Sequence, residues 1–277
     1  MILIADSGST KTEWGWVEEG KLTRTLTSAG INPYFQTREE IAREIASALS
    51  PVPGGRIDAV YFYGAGCAFP EPIENVREAI RSVLPVPTEV HSDLLAAARA
   101  VCGRRPGIAG ILGTGSNACL YDGTRVVDHI PPLGFILGDE GSGAALGKRL
   151  VGDCLKRQLP PRITEAFLER FQLTPATILE RVYRTPFPNR FLASLSRFVG
   201  EHLAEPALYA LALDCFRRFF RRDVRPYPDS GRYPVHLVGS IAFHYQEVVS
   251  EAARLEGVTL GTIAKAPMEG LVRYHAG

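Results

Sequence analysis

Met1-Ile2-Leu3-Ile4-Ala5-Asp6-Ser7-Gly8-Ser9-Thr10-Lys11-Thr12-Glu13-Trp14-Gly15-Trp16-Val17 opens the chain, and the rest is read outward from it. The apolar run Ile2 to Ala5 stops at an acid. A tip of glycine and hydroxyl residues follows, and Trp14, Trp16 and Val17 then return to strand-like composition, which predicts a strand–tip–strand hairpin. Glycine allows close backbone approach, and Ser9, Thr10 and Thr12 add hydroxyl donors, so such a tip suits phosphate oxygens. Lys11 either reaches phosphate or faces solvent. Asp6, where the first strand opens into the tip, is placed to hold a hydrated magnesium ion. A P-loop reading fails, because the G-x-x-x-x-G-K-[ST] spacing is absent and the residues after Lys11 read as strand rather than helix. The other reading is an ordinary surface hairpin, and this stretch alone leaves both open. Trp14 and Trp16 lie at strand spacing on one face and read as core.

Downstream, Leu22 to Thr27 reads as a third strand and Ser28 to Pro33 as a loop, in which Pro33 favours an extended Asn32 able to hold its amide outward. Thr37 and Glu40 resemble a capping box at the head of a helix running to Leu49. Ile57 to Tyr63 is a strand ending in Gly64-Ala65-Gly66. A helix around Pro72 to Leu84 follows, then a short strand, Thr88 to His91, and Ser92-Asp93 before an alanine-rich helix over Leu94 to Val101. This βββαβα order predicts a mixed α/β sheet with ligand-facing loops at strand ends.

The pattern then restarts. Ile108 to Leu112 is a strand, Gly113-Thr114-Gly115-Ser116-Asn117 a second hydroxyl-rich tip, and Ala118 to Tyr121 the returning strand. A repeat of strand, tip and strand predicts two related domains facing one another across a cleft. Pro131 to Gly147 carries Gly138-Asp139-Glu140-Gly141-Ser142 just before a small-residue helix. Acids beside a helix N-terminus can be mere caps, but a cap does not need so many glycines. Residues from about Pro161 to Phe220 read as a mostly helical insert whose pairs Arg217-Arg218 and Arg221-Arg222 read as solvated helix positions. Tyr233 to Val238 is a strand ending in Gly239-Ser240. A helix over Ile241 to Leu255, the strand Val258 to Leu260 and a short helix from Pro267 to His275 complete the chain.

The 277 residues suit two domains or one large one, and 45% hydrophobic residues suffice for full-sized cores. A net charge of +1 gives no bulk attraction to nucleic acid or membrane. No apolar run approaches the roughly 20 residues of a membrane span, and no signal peptide is read at the N-terminus. The five cysteines are scattered without CxxC spacing, so neither a zinc knuckle nor a disulfide framework is expected. His91, His129, His236 and His244 share no metal-ligand spacing and read as structural. A cytoplasmic globular enzyme is the expectation.

Taken together, the motifs resemble those of the actin-like ATPase and sugar-kinase superfamily, and within it the BadF/BadG/BcrA/BcrD-type group that includes N-acetylglucosamine kinases. Asp6 to Thr12 is similar to the first phosphate motif, Gly113 to Asn117 to the second, and Val238-Gly239-Ser240 to the motif beside the adenosine. Gly138 to Ser142 is characteristic of this kinase group. The resemblance implies an α/β fold of two duplicated actin-like (ribonuclease H-like) lobes with a mixed five-stranded sheet in each. An N-terminal lobe would span 1–105 and a C-terminal lobe 106–277, with a helical insert at about 160–222 and a last helix able to pack back on the first lobe. It implies ATP and Mg2+ as cofactors, an amino sugar as partner, and it admits a homodimer.

Residue by residue, Asp93 matches the catalytic base. Asn32 and Asp139 match groups that bond the sugar hydroxyls, with Gly134 lining the same pocket. Ser9, Thr10, Lys11, Gly113, Thr114, Gly115, Ser116, Gly239 and Ser240 match the ATP site, and Asp6 the magnesium position, reached through water. Two departures stand out: Pro33 follows Asn32 where a second polar side chain is expected, and Ala266 to Gly270 is more similar to small bacterial relatives than to the animal enzymes. The implied activity is phosphorylation of N-acetylglucosamine at its primary hydroxyl, with glucosamine or N-acetylmuramic acid as variant acceptors. A sugar-independent ATPase activator and a non-catalytic sensor of the same fold are the other classes. Taken alone, Ser92-Asp93 before a helix more commonly caps it, and only the place of Asp93 between the two phosphate tips favours catalysis; Asn32 also reads as a turn residue.

Overall fold

The computed structural model describes residues 1–8, 10–50 and 56–277. Ser9 of the first tip lies outside the described residues. The chain divides into two compact units, one of Met1–Pro106, Tyr121–Val126 and Ala266–Gly277, the other of Gly107–Leu120 and Val127–Lys265.

In the first unit, β1 (Ile2–Ser7), β2 (Lys11–Glu18) and β3 (Lys21–Ala29) precede α1 (Arg38–Ala48), β4 (Ala59–Gly64), α2 (Pro70–Val83), β5 (Thr88–Ser92) and α3 (Asp93–Cys102). The sheet order is β3-β2-β1-β4-β5, with β1 antiparallel to β2 and parallel to β4, and β4 parallel to β5. Alternation along β1 sorts the faces, as the period of two requires. Leu3 and Ala5 join Trp14, Trp16, Phe62 and the helix residues Ile41, Ile45 and Ile80 in one core. Ile4 lies on the other face with Tyr63, Ala96 and Met268. Both tryptophans are fully buried, as expected of core. Thr37 caps α1, its hydroxyl accepting from the Glu40 N–H while Glu40 Oε2 accepts from the Thr37 N–H at 2.8 Å, the capping box read from the sequence.

The second unit contains β6 (Gly107–Leu112), β7 (Ser116–Tyr121, whose last residue groups with the first unit), β8 (Val126–Asp128, whose first residue does likewise), α4 (Gly134–Leu137) and α5 (Gly143–Leu155). The helices α6 (Pro161–Phe171), α7 (Pro175–Tyr183), α8 (Pro188–Glu201) and α9 (Pro206–Phe219) follow, each with a proline in its first turn, where the missing N–H costs no helical bond. Then come a π-helical turn at Phe220–Val224, β9 (Val235–Val238), α10 (Ser240–His244), α11 (Gln246–Leu255) and β10 (Leu260–Ala264). The order β10-β9-β6-β7-β8 has the topology of the first sheet, strand for strand, so the internal repeat read in the sequence is a repeat of fold. The final helix, α12 (Met268–Ala276), belongs to the first unit.

Two expectations need correcting. Ile241 to Leu255 is not one helix. Tyr245 leaves the helical region at φ −109° and ψ 20°, because its hydroxyl donates to the Ser196 carbonyl at 2.5 Å and its ring packs on Phe216. The arginine pairs are also more than solvated positions. Arg217 Nε and Arg221 Nε donate to the buried Glu256 carboxylate at 2.6 and 2.8 Å, and Arg222 pairs with Glu140. Sequence offers no signal for an acid that lies tens of residues from its partners.

Candidate functional site

The first tip is pinned by its own hydroxyls. Ser7 Oγ donates to the Ile31 carbonyl at 3.0 Å and accepts the Ile31 N–H at 3.0 Å. It also meets Thr12 Oγ1 at 2.7 Å, and Thr12 donates to the Ala29 carbonyl. Both side chains are fully buried. Thr12 is therefore spent inside the fold and is not the outward phosphate donor that composition suggested. Thr10 and Lys11 are exposed on the tip, closed by the Gly8 N–H donating to the Lys11 carbonyl at 3.0 Å.

That clasp also fixes the loop carrying Asn32. Asn32 is buried, and the oxygen end of its amide is held locally, Oδ1 accepting the Tyr34 N–H at 3.0 Å. Oδ1 lies against Gly66, where any Cβ would approach it to 2.6 Å. An asparagine bonding the backbone two residues ahead is an Asx turn, which settles the side-chain oxygen whatever backbone conformation Pro33 favours.

Asp6 and Asp93 stand at the C-terminal ends of β1 and β5, on either side of β4, and just past β4 the Ala65 N–H donates to the Ser7 carbonyl at 2.8 Å. In register, Asp6 faces Glu13 on β2 and Tyr63 on β4. Burial first, then the charges of Asp93 and Glu13, push the Asp6 carboxyl up to about 7, with Lys11 opposing. The N-cap of α3 is Ser92, whose hydroxyl accepts the Leu95 N–H at 3.2 Å. Asp93 is thus not required as the cap. Its Oδ1 accepts the Leu94 N–H at 2.8 Å, and burial raises its pKa against that backbone bond. Two nearby carboxylates make a hard-oxygen donor set of the kind that Mg2+ uses, one or two acids with water and phosphate completing the shell. Among the described residues no group of three or more His, Cys, Asp or Glu is arranged to hold a metal, so a fully protein-ligated ion does not fit.

In the second unit the tip leans on a helix. The Gly143 N–H donates to the Gly113 carbonyl at 2.8 Å and the Ala144 N–H to the Thr114 carbonyl at 3.1 Å. The first amides of α5 are therefore consumed by the tip. Because the trans peptide is planar, the Thr114 and Gly115 N–H groups point away from α5, the orientation that an anion needs. Gly113 N–H bonds the Gly115 carbonyl at 2.9 Å, and Ser116 N–H bonds Asp139 Oδ1 at 3.4 Å. A Cβ on Gly115 would meet Asp139 Oδ2 at 3.0 Å.

Asp139 is buried and left-handed at φ 57°, its N–H donating to the Pro132 carbonyl at 3.0 Å. Burial raises its pKa while the Ser116 N–H lowers it. Leu133 and Gly134 are also left-handed, at φ 61° and 71°, so this loop holds strained backbone beside the tip. Sequence reading missed Asp223, on the π-helical turn. It is buried, with Oδ2 lacking a partner among the described residues, and burial and the Glu140 charge push it up to about 7. A π turn carries no sequence mark, but such turns cluster at functional sites.

Gly239 sits at φ 125°, its N–H bonding the Ala264 carbonyl at 2.9 Å, and Ser240 is exposed at the start of α10. A Cβ on Gly239 would lie 2.2 Å from the Leu112 carbonyl oxygen, at the base of the second tip. Gly239→Ala is therefore expected to destabilise the protein by about 2–4 kcal/mol, combining backbone strain with a clash against fixed main chain. A urea midpoint within error of wild type would contradict this.

No family model matches the chain, and no curated protein matches it. Solved structures do. A candidate N-acetylglucosamine kinase from Porphyromonas gingivalis is 50% identical over 100% of this chain and 99% of its own, with a TM-score of 0.96. A candidate N-acetylglucosamine kinase from Chromobacterium violaceum is 17% identical over 99% of both chains, with a TM-score of 0.67. The ROK hexokinase of Thermus thermophilus is 19% identical over 99% of this chain and 96% of its own, at 0.55. The last two speak for fold alone, whereas half identity along the full length speaks for common family. No helix among the described residues is long and apolar enough to cross a membrane. The duplicated five-stranded sheets with their glycine-hydroxyl tips, together with that full-length likeness, place the chain in the N-acetylglucosamine kinase-like family of actin-like ATPases and sugar kinases.

Proposed function

We propose that the protein is an ATP-dependent kinase of an amino sugar, with N-acetylglucosamine as acceptor and N-acetylglucosamine 6-phosphate as product. What carries the reading is the full-length, half-identical likeness to the candidate kinase of P. gingivalis. Phosphoryl transfer asks a protein for alignment and charge neutralisation more than for covalent chemistry. Thr10 and Lys11 of the first tip, with Gly113, Thr114, Gly115 and Ser116 of the second, bind the phosphates, and Gly239 and Ser240 lie beside the adenosine. Asn32, Gly134 and Asp139 contact the sugar. Asp93 takes the proton from the primary hydroxyl as its oxygen bonds to the γ-phosphorus and the bond to the ADP oxygen breaks. Support for that role comes from Ser92 acting as cap, which leaves Asp93 Oδ2 outside the bond to Leu94. Asp6 would hold Mg2+, which when bound would supply positive charge to neutralise the phosphates.

The test is ADP release measured across N-acetylglucosamine, glucosamine, N-acetylmuramic acid and a no-sugar control. The expected result is turnover dependent on sugar and highest with N-acetylglucosamine. Hydrolysis indifferent to sugar would select an activator ATPase, and binding without turnover a sensor.

A further inference from the structure

We propose that His129, as its Nε2–H tautomer, is a positioning residue that turns the side-chain NH2 group of Asn117 toward an acceptor oxygen of the bound ligand at the second tip. Asn117 is the last residue of the second tip and the second of β7, and His129 lies twelve residues on, just past β8. Two donors converge on one oxygen. Asn117 Oδ1 accepts the Ala118 backbone N–H at 3.0 Å and meets His129 Nε2 at 2.8 Å. A backbone N–H only donates, so the Ala118 contact fixes which end of the carboxamide is oxygen. That oxygen cannot donate in turn, so His129 Nε2 must carry its hydrogen. The backbone N–H of His129 donates to Asp128 Oδ1 at 2.8 Å, which fastens the main chain just past β8 rather than the ring. Burial lowers the His129 pKa against the Asp128 charge, which agrees with a neutral ring. The protonated ring also carries Nε2–H, so the clamp persists across pH.

With its oxygen saturated, Asn117 has two N–H hydrogens left and presents a donor only. Such a group favours a hydroxyl, carbonyl or phosphate oxygen and disfavours an ammonium. The inference rests on the kinase reading only for whether that oxygen belongs to sugar or nucleotide.

Steady-state kinetics on His129→Ala and His129→Gln, with N-acetylglucosamine and ATP varied in turn, provide the first measurement. His129→Ala is expected to raise one Michaelis constant about tenfold, with kcat within about twofold, the loss expected of one hydrogen bond's orientation. His129→Gln, whose amide N–H replaces Nε2–H, is expected to recover most of it. A rise in the sugar constant assigns the oxygen to the sugar, and a rise in the ATP constant to phosphate. No rise in either, or His129→Gln behaving like His129→Ala, overturns the proposal. The second measurement does not need turnover: 15N correlation spectra of histidine-labelled wild-type protein should show His129 as the Nε2–H tautomer. An Nδ1–H tautomer overturns the positioning role. Absence of sugar-dependent turnover in wild type would instead overturn the kinase reading, with the tautomer still deciding the clamp.

Discussion

Replacing Asp93 with asparagine is expected to lower sugar-dependent turnover by about 10²–10⁴-fold, the range of a positioned general base, while ATP affinity stays within a few-fold. Asparagine is nearly isosteric and its Oδ1 can still accept the Leu94 N–H, so the local bond that Asp93 makes at the start of α3 survives. The helix keeps its cap as well, because Ser92 supplies it. What the variant loses is the basic oxygen. A drop in turnover without a fall in melting temperature would separate proton transfer from folding, since loss of a structural acid would lower both. Burial raises the Asp93 pKa, so wild-type kcat/KM should fall on the acid side as the base becomes protonated, and that limb should vanish in the residual activity of Asp93→Asn. Turnover within tenfold of wild type would remove Asp93 from the role of base. Glutamine at the same position should be no better than asparagine, because length cannot substitute for basicity.

The fold was legible because its signals are local. The apolar run of β1 and the strand-like Trp14, Trp16 and Val17 of β2 marked the hairpin, and glycine-hydroxyl tips punctuated both repeats. Thr37 and Glu40 spelled out a helix start three residues apart. What the sequence could not display are contacts that only the folded chain creates. The Ser7–Thr12–Ile31 clasp consumes a hydroxyl that composition offers to a ligand, and Glu256 gathers arginines from the end of α9 and the π turn. Tyr245 breaks a helix whose local propensity gives no reason to break, because a tertiary bond to Ser196 overrides it. Asn32 was legible as a residue, but its orientation was not. Pro33 biases one dihedral, whereas the Tyr34 N–H and the bare face of Gly66 decide where the amide goes.

Asp6 carries the second large effect, and its sign in stability is opposite to its sign in activity. In the folded, metal-free protein its carboxyl titrates near 7 against an ordinary 3.8, chiefly through burial and then through Asp93 and Glu13. Between those two values the folded state holds a proton that the unfolded chain has released. Stability therefore falls as pH rises through that window, and the loss persists above it. Asp6→Asn has no such proton to lose. With chelator present, the variant should melt above wild type at about pH 8, and the gap should close as the pH approaches 4. Adding magnesium and ATP should raise the melting temperature of wild type far more than that of Asp6→Asn, because the ion offsets the carboxylate's buried charge only where that charge exists. Turnover of the variant should drop by about 10²–10³-fold, the scale of losing one preorganised electrostatic contact to the phosphates. A variant that is less stable than wild type at pH 8 without metal would show that Asp6 is held by favourable contacts inside the fold. Its carboxylate would then not be a charge kept in reserve for a cation.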